Sequence, residues 1–194
     1  MKVVLRRNPR VTTIMDTLWA PWRMAYIVED AAAAKQREEL NNVVVPVDAE
    51  ATCFLCQAVY DQDRDRQRYV VRRTESTISV LNRFPYNNGH LLVAPKRHCS
   101  RLDELTTAEK LELVEEIDRW IGILEREMNS DGFNVGLNLG RSAGAGLPGH
   151  LHWHIVPRWN GDTNYMTTLA SAKVIPQALD ALWEILVKKG TKNS

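Results

Sequence analysis

The chain has 194 residues, with 25 basic and 24 acidic side chains and a hydrophobic content of 44%. This near-neutral charge gives no reason to expect a nucleic-acid polymer or an anionic membrane as a partner, and no apolar run reaches the roughly 18 residues of a membrane-spanning helix. Three cysteines argue against a disulfide framework, so a reducing cytoplasm is the expected location. The length fits one domain, which we place at residues 51–194, preceded by an N-terminal arm and helical extension at residues 1–50.

The N-terminal extension contains two segments with helical character. Apolar residues recur at near-helical spacing between residues 18 and 27, and Pro21 suits the first turn of a helix. This helix either packs on the main domain or a dimer contact, or it borders a substrate cleft. The residues that would then face the cleft are Trp19, Arg23 and Tyr26. Residues 31–40 are rich in Ala, Lys, Gln and Glu, which favours a solvated helix or a linker.

Cys53 and Cys56 are three positions apart, a spacing that allows a tight turn to hold a metal ion. The same pair is also compatible with a redox couple or with two small buried side chains. No strand–helix pattern of the thioredoxin type surrounds the pair, which disfavours the redox interpretation. A structural zinc needs four ligands, so the remaining two would have to come from elsewhere in the chain, and histidines are the candidates.

A run of β-branched and apolar segments predicts an antiparallel sheet. Residues 69–71 and 77–81 have the composition of strands, and residues 90–94 form another strand that Pro95 ends. Asn87–Gly89 is a turn signal before that strand. With residues 133–139 and the histidine segment described below, the sheet has about five strands.

Two amphipathic helices complete a predicted α+β domain. Thr106 and Glu109 form a capping box at the start of a long helix. Its apolar residues recur every three or four positions and predict a stripe packed on one face of the sheet. That stripe consists of Leu111, Leu113, Val114, Ile117, Trp120, Ile121, Leu124 and Met128. A C-terminal helix is expected from Pro176 to about Lys188.

The segment from His150 to Val156 alternates histidine with bulky apolar residues. A period of two predicts a β-strand that Pro157 would end. On a strand, His150, His152 and His154 share one face, while the apolar residues between them share the other. The alternative interpretation is a strand whose polar side chains simply face solvent. Threonine, lysine or glutamate would serve there, so three imidazoles in a row favour a catalytic or ligand-binding role.

The segment before these histidines, residues 140–149, is rich in glycine. Such a loop can bring backbone N–H groups close to phosphate oxygens. Ser142, Gly144 and Gly146 are therefore candidate phosphate contacts, and Asn138 stands at the start of the loop. Neutral imidazole is a good nucleophile near pH 7, and the central histidine of a row of three is the natural attacker, since its neighbours can flank a phosphate.

The alternating motif resembles that of the histidine triad family of nucleotide hydrolases and transferases. The resemblance extends over residues 50–165 and favours the branch that contains bacterial diadenosine tetraphosphate phosphorylases and fragile-histidine-triad-like proteins. The other segments that carry it are Asn82–Pro85, Gly89–His98, Gly132–Asn138, Ser142–Gly146 and Pro157–Asn164.

The resemblance assigns roles to the three histidines. It implies that His152 attacks the α-phosphorus of a nucleotide and forms a covalent nucleotidyl-histidine, which water or inorganic phosphate then resolves. His154 would hold charge or assist the leaving group, and His150 would support.

The same resemblance implies the remaining contacts. Asn82 matches a ribose-contacting asparagine, Asn138 a polar residue at the phosphate side, and His90 a supporting histidine, although local turn hydrogen bonds would also account for the two asparagines. One structural zinc per chain is implied, together with a homodimer. Its ligands would be Cys53, Cys56, His98 and His150.

Four functions follow from these observations. The first choice is phosphorolysis of diadenosine tetraphosphate to ADP and ATP, and the second is hydrolysis of such dinucleotides or of nucleoside phosphoramidates. The third is a hexose-1-phosphate uridylyltransferase-like activity, and the fourth a non-catalytic nucleotide-binding signalling module. Several hydrolase branches place a glutamine or serine shortly before the triad, whereas this chain has Leu147–Gly149 there. This departure favours phosphate over water as the acceptor.

Overall fold

The structure is a computed structural model that describes residues 43–47, 49–162 and 175–191. Most of the predicted N-terminal arm and helical extension lies outside the described residues. The strands are β1 (Val70–Arg73), β2 (Thr77–Leu81), β3 (Leu91–Pro95), β4 (Gly132–Leu137) and β5 (Trp153–Arg158). The α-helices are α1 (Phe54–Tyr60), α2 (Thr107–Met128) and α3 (Leu179–Gly190), and single 3-10 turns cover Gln62–Arg64, Leu102–Glu104 and Arg141–Ala143.

The five strands form one antiparallel sheet in the order β1-β2-β3-β5-β4, which confirms the predicted fold class. β1, β2 and β3 form a meander, and β5 then lies between β3 and the edge strand β4. His154 on β5 pairs with Leu92 on β3 and with Gly136 on β4. The strand that carries His154 is therefore held from both sides.

The helices lie on opposite faces of this sheet. α2 begins with the predicted capping box, in which Thr106 accepts from the Glu109 N–H and Glu109 accepts from the Thr106 N–H. Trp120 and Leu124 of α2 are fully buried against β3 and β5, and α3 joins the same core. The indole N–H of Trp120 donates to Ser79 Oγ at 2.8 Å. The short helix α1 covers the other face with a second, smaller core.

Two predictions about the core and the histidine strand were wrong in detail. Leu111 and Val114 are exposed rather than part of the packed stripe of α2, because that stripe turns toward Leu113 and Trp120. The histidine strand begins at Trp153, since Leu151 N–H donates to the Cys99 carbonyl instead of joining a strand ladder.

Pro157 does not end β5, which continues to Arg158. β5 pairs with β3 only over residues 153–155. The Pro157 carbonyl accepts from Asn87 Nδ2 at 2.9 Å on that side, so the missing N–H of proline removes no ladder hydrogen bond. In the described part of the chain, no helix is both long and apolar enough to cross a membrane.

Candidate active site and metal centre

The histidine-bearing segment separates its two kinds of side chain as a strand does. Leu151, Trp153 and Ile155 pack into the main core beneath α2. The rings of His152 and His154 lie 5.0 Å apart on the other side. The extended backbone thus directs bulky apolar groups inward and imidazoles toward one face.

A backbone carbonyl sets the protonation of His152. Its Nδ1 lies 2.8 Å from the His150 carbonyl oxygen, and a carbonyl can only accept, so Nδ1 carries the proton. Neutral His152 therefore bears its lone pair on Nε2. The side chain is largely buried, with 7% relative exposure, and an oriented neutral imidazole of this kind is a competent nucleophile.

His90 and His154 form a second pair whose protons are also fixed. The Tyr86 N–H donates to His90 Nδ1 at 3.0 Å. The Asn82 amide points its Nδ2 at the same atom, because its Oδ1 accepts from the Phe84 N–H. His90 Nε2 must then carry a proton, which it donates to His154 Nδ1 at 2.9 Å. His154 consequently bears its proton on Nε2, and this buried atom has no hydrogen-bond partner among the described residues.

Burial keeps these two rings uncharged. It lowers the pKa of His90 to about 3, with the neighbouring His154 and His152 adding to the effect. Burial also lowers the pKa of His154, again assisted by His152. At neutral pH the pair therefore acts through its N–H groups and not through positive charge.

The other end of the histidine row meets the cysteine pair. His150 Nε2 donates to the Pro95 carbonyl at 2.8 Å, which leaves the lone pair on Nδ1. That Nδ1 lies 3.3 Å from Cys53 Sγ and 3.5 Å from Cys56 Sγ. His98 Nδ1 lies 3.2 Å from Cys56 Sγ, and all four donor atoms lie within 4.8 Å of one another.

This donor set has the composition and size of a tetrahedral metal site. With Zn–S and Zn–N bonds of about 2.3 and 2.0–2.1 Å, a tetrahedral ion holds sulfur and nitrogen ligands about 3.5 Å apart, close to the separations found. Burial raises the pKa of the Cys53 thiol to about 12. A cation is therefore needed to stabilise a thiolate there, and the four residues fit zinc.

The predicted substrate contacts occupy two loops. Asn82 lies in the β2–β3 hairpin and makes the local hydrogen bonds described above. Asn138 comes directly after the last β4–β5 pair, Leu137 with Trp153. Ser142 sits in the 3-10 turn. Gly144, at a φ of +81°, and Gly146 are exposed positions of the same loop, and both have open surroundings. Within the described residues, no hydrogen bond joins this loop to the histidine rings.

Three groups in the site escaped the sequence reasoning. Pro95 and His150 contribute carbonyl oxygens, which no side-chain pattern reveals. Tyr86 contributes an N–H and a ring that lies 4.8 Å from His90 and 5.8 Å from His154. Its place within a turn beside the hairpin histidine was the available signal.

A cavity of about 510 Å³ lies elsewhere. Its walls include Asn87, Met128, Trp159, Pro176 and Leu182, and no histidine lines it. None of the predicted site histidines is therefore at this cavity.

Residues 64–161 match the HIT domain model, and the chain belongs to the HIT family. This assignment agrees with the fold and with the histidine row.

Particular relatives narrow the comparison. The chain is 41% identical over 165 residues to the AP-4-A phosphorylase of Mycobacterium tuberculosis, covering 85% of this chain and 79% of that protein. It is 34% identical over 93 residues to the bis(5′-adenosyl)-triphosphatase of Dictyostelium discoideum, covering 48% of this chain and 62% of that protein. The chain is thus an enzyme of the HIT hydrolase and transferase type.

A solved structure supports the same fold. The zinc-bound histidine triad family protein from Mycobacterium smegmatis superposes with a TM-score of 0.57 at 24% identity. The match covers 71% of this chain and 92% of that one.

Proposed function

We propose that this protein transfers a nucleotide from a dinucleoside polyphosphate to inorganic phosphate through His152. The preferred reaction converts diadenosine tetraphosphate and phosphate to ADP and ATP. One observation carries the proposal: the His152 ring, whose lone pair is on Nε2, lies 5.0 Å from the His154 ring, whose Nε2–H has no partner among the described residues. The 41% identity to a protein named AP-4-A phosphorylase supports the substrate class.

The first half-reaction follows from these two nitrogens. His152 Nε2 attacks the α-phosphorus, the bond from phosphorus to the bridging oxygen breaks, and ATP leaves. His154 Nε2–H donates to that bridging oxygen as negative charge grows on it. The N–H of His152 Nδ1 stays on the His150 carbonyl, which stabilises the positive charge that the imidazole gains in the adduct.

The second half-reaction transfers the nucleotide from His152 to inorganic phosphate. A phosphate oxygen attacks the nucleotidyl phosphorus, the P–N bond breaks, and ADP leaves while His152 regains its lone pair. Anionic phosphate needs no deprotonation to act as a nucleophile, whereas water gains from a general base. Leu147–Gly149 supply no polar side chain for that purpose. Asn82, Asn138, Ser142, Gly144 and Gly146 are the proposed contacts for ribose and phosphates.

Zinc belongs to the proposal as a structural ion held by Cys53, Cys56, His98 and His150. When bound, it would cross-link the start of α1, the segment after β3 and the histidine row. No step of the reaction passes through it. A homodimer, implied by the resemblance of the sequence, and a cytoplasmic location, expected from the three cysteines, complete the proposal.

The deciding experiment measures products from diadenosine tetraphosphate with and without added phosphate. Phosphorolysis predicts ADP and ATP in equal amounts, at a rate that depends on phosphate concentration. Mass spectrometry of protein trapped with substrate should find an AMP adduct on His152. Equal rates with and without phosphate, together with AMP as a product, would reject phosphorolysis.

Those products would instead favour hydrolysis, the second candidate. The similarity to the Dictyostelium triphosphatase supports this candidate. The same adduct on His152 is expected in either case, because the two reactions differ only in the acceptor.

A further inference from the structure

The hairpin loop between β2 and β3 places an aromatic ring directly against the reacting histidines. The ring of Tyr86 lies 5.8 Å from that of His154 and is within 21° of parallel to it. Its centroid is 4.8 Å from that of His90. Nevertheless Tyr86 is 57% exposed. The ring is therefore packed on its histidine side and open on its outer side.

The loop that carries this ring is held in place by its own hydrogen bonds. Asn82 Oδ1 accepts from the Phe84 N–H at 2.9 Å, and the Tyr86 N–H donates to His90 Nδ1. Asn87 Nδ2 donates to the Pro157 carbonyl on the adjacent strand. Because the loop is already ordered, a planar ligand that stacks on Tyr86 would meet little additional ordering cost.

The direction of the chemistry identifies the ligand. In the proposed reaction His154 Nε2–H donates to the bridging oxygen, so the leaving nucleotide departs past His154, the ring on which Tyr86 stacks. We propose that the exposed face of Tyr86 stacks the base of the second nucleoside, the one that departs with the leaving nucleotide. The inference rests on the proposed function and adds a binding site for the far end of the substrate.

Two substrates separate this role from a role in the chemistry. Diadenosine tetraphosphate and adenosine 5′-tetraphosphate offer the same AMP group to His152, but only the first carries a second base. Tyr86→Leu removes the ring and keeps the backbone N–H that orients His90. Base–aromatic stacking predicts a fall of about tenfold in kcat/KM for diadenosine tetraphosphate. For adenosine 5′-tetraphosphate, kcat/KM should fall by less than twofold. Tyr86→Phe, which keeps an aromatic ring, should have nearly the wild-type kcat/KM for diadenosine tetraphosphate.

Phe84→Leu is the matched control. Phe84 is 72% exposed in the same loop, and among the described residues its ring contacts neither His90 nor His154. In this variant, kcat/KM should change by less than twofold for both substrates.

The possible outcomes are distinct. Equal losses on both substrates with Tyr86→Leu, or no loss on either, would overturn the stacking role while the proposed reaction stands. A wild-type protein that turns over neither substrate would overturn the reaction and the stacking role together.

Discussion

The two ends of the histidine row use the same side chain in opposite ways. At the cysteine end, the Pro95 carbonyl accepts from His150 Nε2–H, so the lone pair on His150 Nδ1 faces the cysteine sulfurs. At the hairpin end, the Tyr86 N–H donates to the lone pair on His90 Nδ1, so His90 Nε2–H donates a hydrogen bond to His154. The first end collects lone pairs and suits a cation, whereas the second presents an N–H and suits a phosphate oxygen.

This difference shows that backbone partners, and not residue type, decide what a buried imidazole does. Burial lowers the pKa of His90 to about 3 and that of His150 to about 4, so both are neutral near pH 7. A neutral imidazole is a donor at one nitrogen and an acceptor at the other. His152 lies between the two ends, tied to the first by the His150 carbonyl and touching the second through the His154 ring.

Removal of the central nucleophile is expected to have the largest effect. His152→Ala deletes the only lone pair that we place at the α-phosphorus, so kcat should fall by about 10⁴-fold or more. The nucleotide adduct should disappear from the mass spectrum. His154→Ala should be slower than wild type and still form the adduct on His152. Full turnover by His152→Ala would contradict the covalent mechanism.

Breaking the cysteine end tests the comparison next. Cys56→Ser removes a sulfur that contacts both histidines of the cluster. We expect the loss of one zinc per chain, measured by elemental analysis. Unfolding free energy should fall by about 4 kcal/mol, which corresponds to about 10 °C in Tm.

Cys99→Ser provides the control for this variant. Cys99 is also buried, but its side chain packs in the main core and is not among the four clustered donors. It should retain full zinc content despite some loss of stability. If Cys56→Ser binds as much zinc as wild type does, the metal assignment is wrong.

Much of the fold could be predicted because periodicity and packing agree along most of the chain. The Thr106–Glu109 capping box and the apolar stripe defined the long helix, and β-branched segments defined the sheet. The exceptions were positions that depend on tertiary contacts. The sequence cannot show that the Cys99 carbonyl accepts from the Leu151 N–H. Nor can it show that β3 begins only at Leu91, beyond the position that would face Pro157.

The site was predictable where a motif names side chains. Cys53, Cys56, His98 and His150 were grouped by resemblance, and the structure brings their donor atoms together. The tautomers were not predictable, because they depend on carbonyl and N–H groups that every residue possesses. Pro95 and Tyr86 act through such groups, and only the folded backbone shows where they point.

The hairpin end is expected to give a smaller but informative effect. His90→Phe removes the donor to His154 Nδ1, so the His154 proton is no longer held on Nε2. As His90 is a positioning residue, kcat should fall by about 30-fold with little change in KM. Nitrogen chemical shifts should show that His154 populates both tautomers. His90→Gln, whose amide can donate to the same atom, should recover much of the loss. A similar kcat for His90→Phe and wild type would show that the hydrogen bond from His90 to His154 does not position the His154 proton for the reaction.

The smallest expected effect is the contribution of His90, at the hairpin end, to the pH dependence of folding stability. Unfolded His90 takes up a proton as pH falls below about 6.5, whereas the folded ring stays neutral down to about pH 3. The unfolded state then binds more protons, so folding stability falls with decreasing pH, by up to about 1.4 kcal/mol per pH unit from this residue. Denaturant unfolding between pH 4 and 6 should therefore show a shallower slope for His90→Gln than for wild type, since the buried His150 contributes equally to both. Identical slopes would mean that folded and unfolded His90 take up a second ring proton alike between pH 4 and 6, which would contradict a His90 ring that burial keeps neutral in this range.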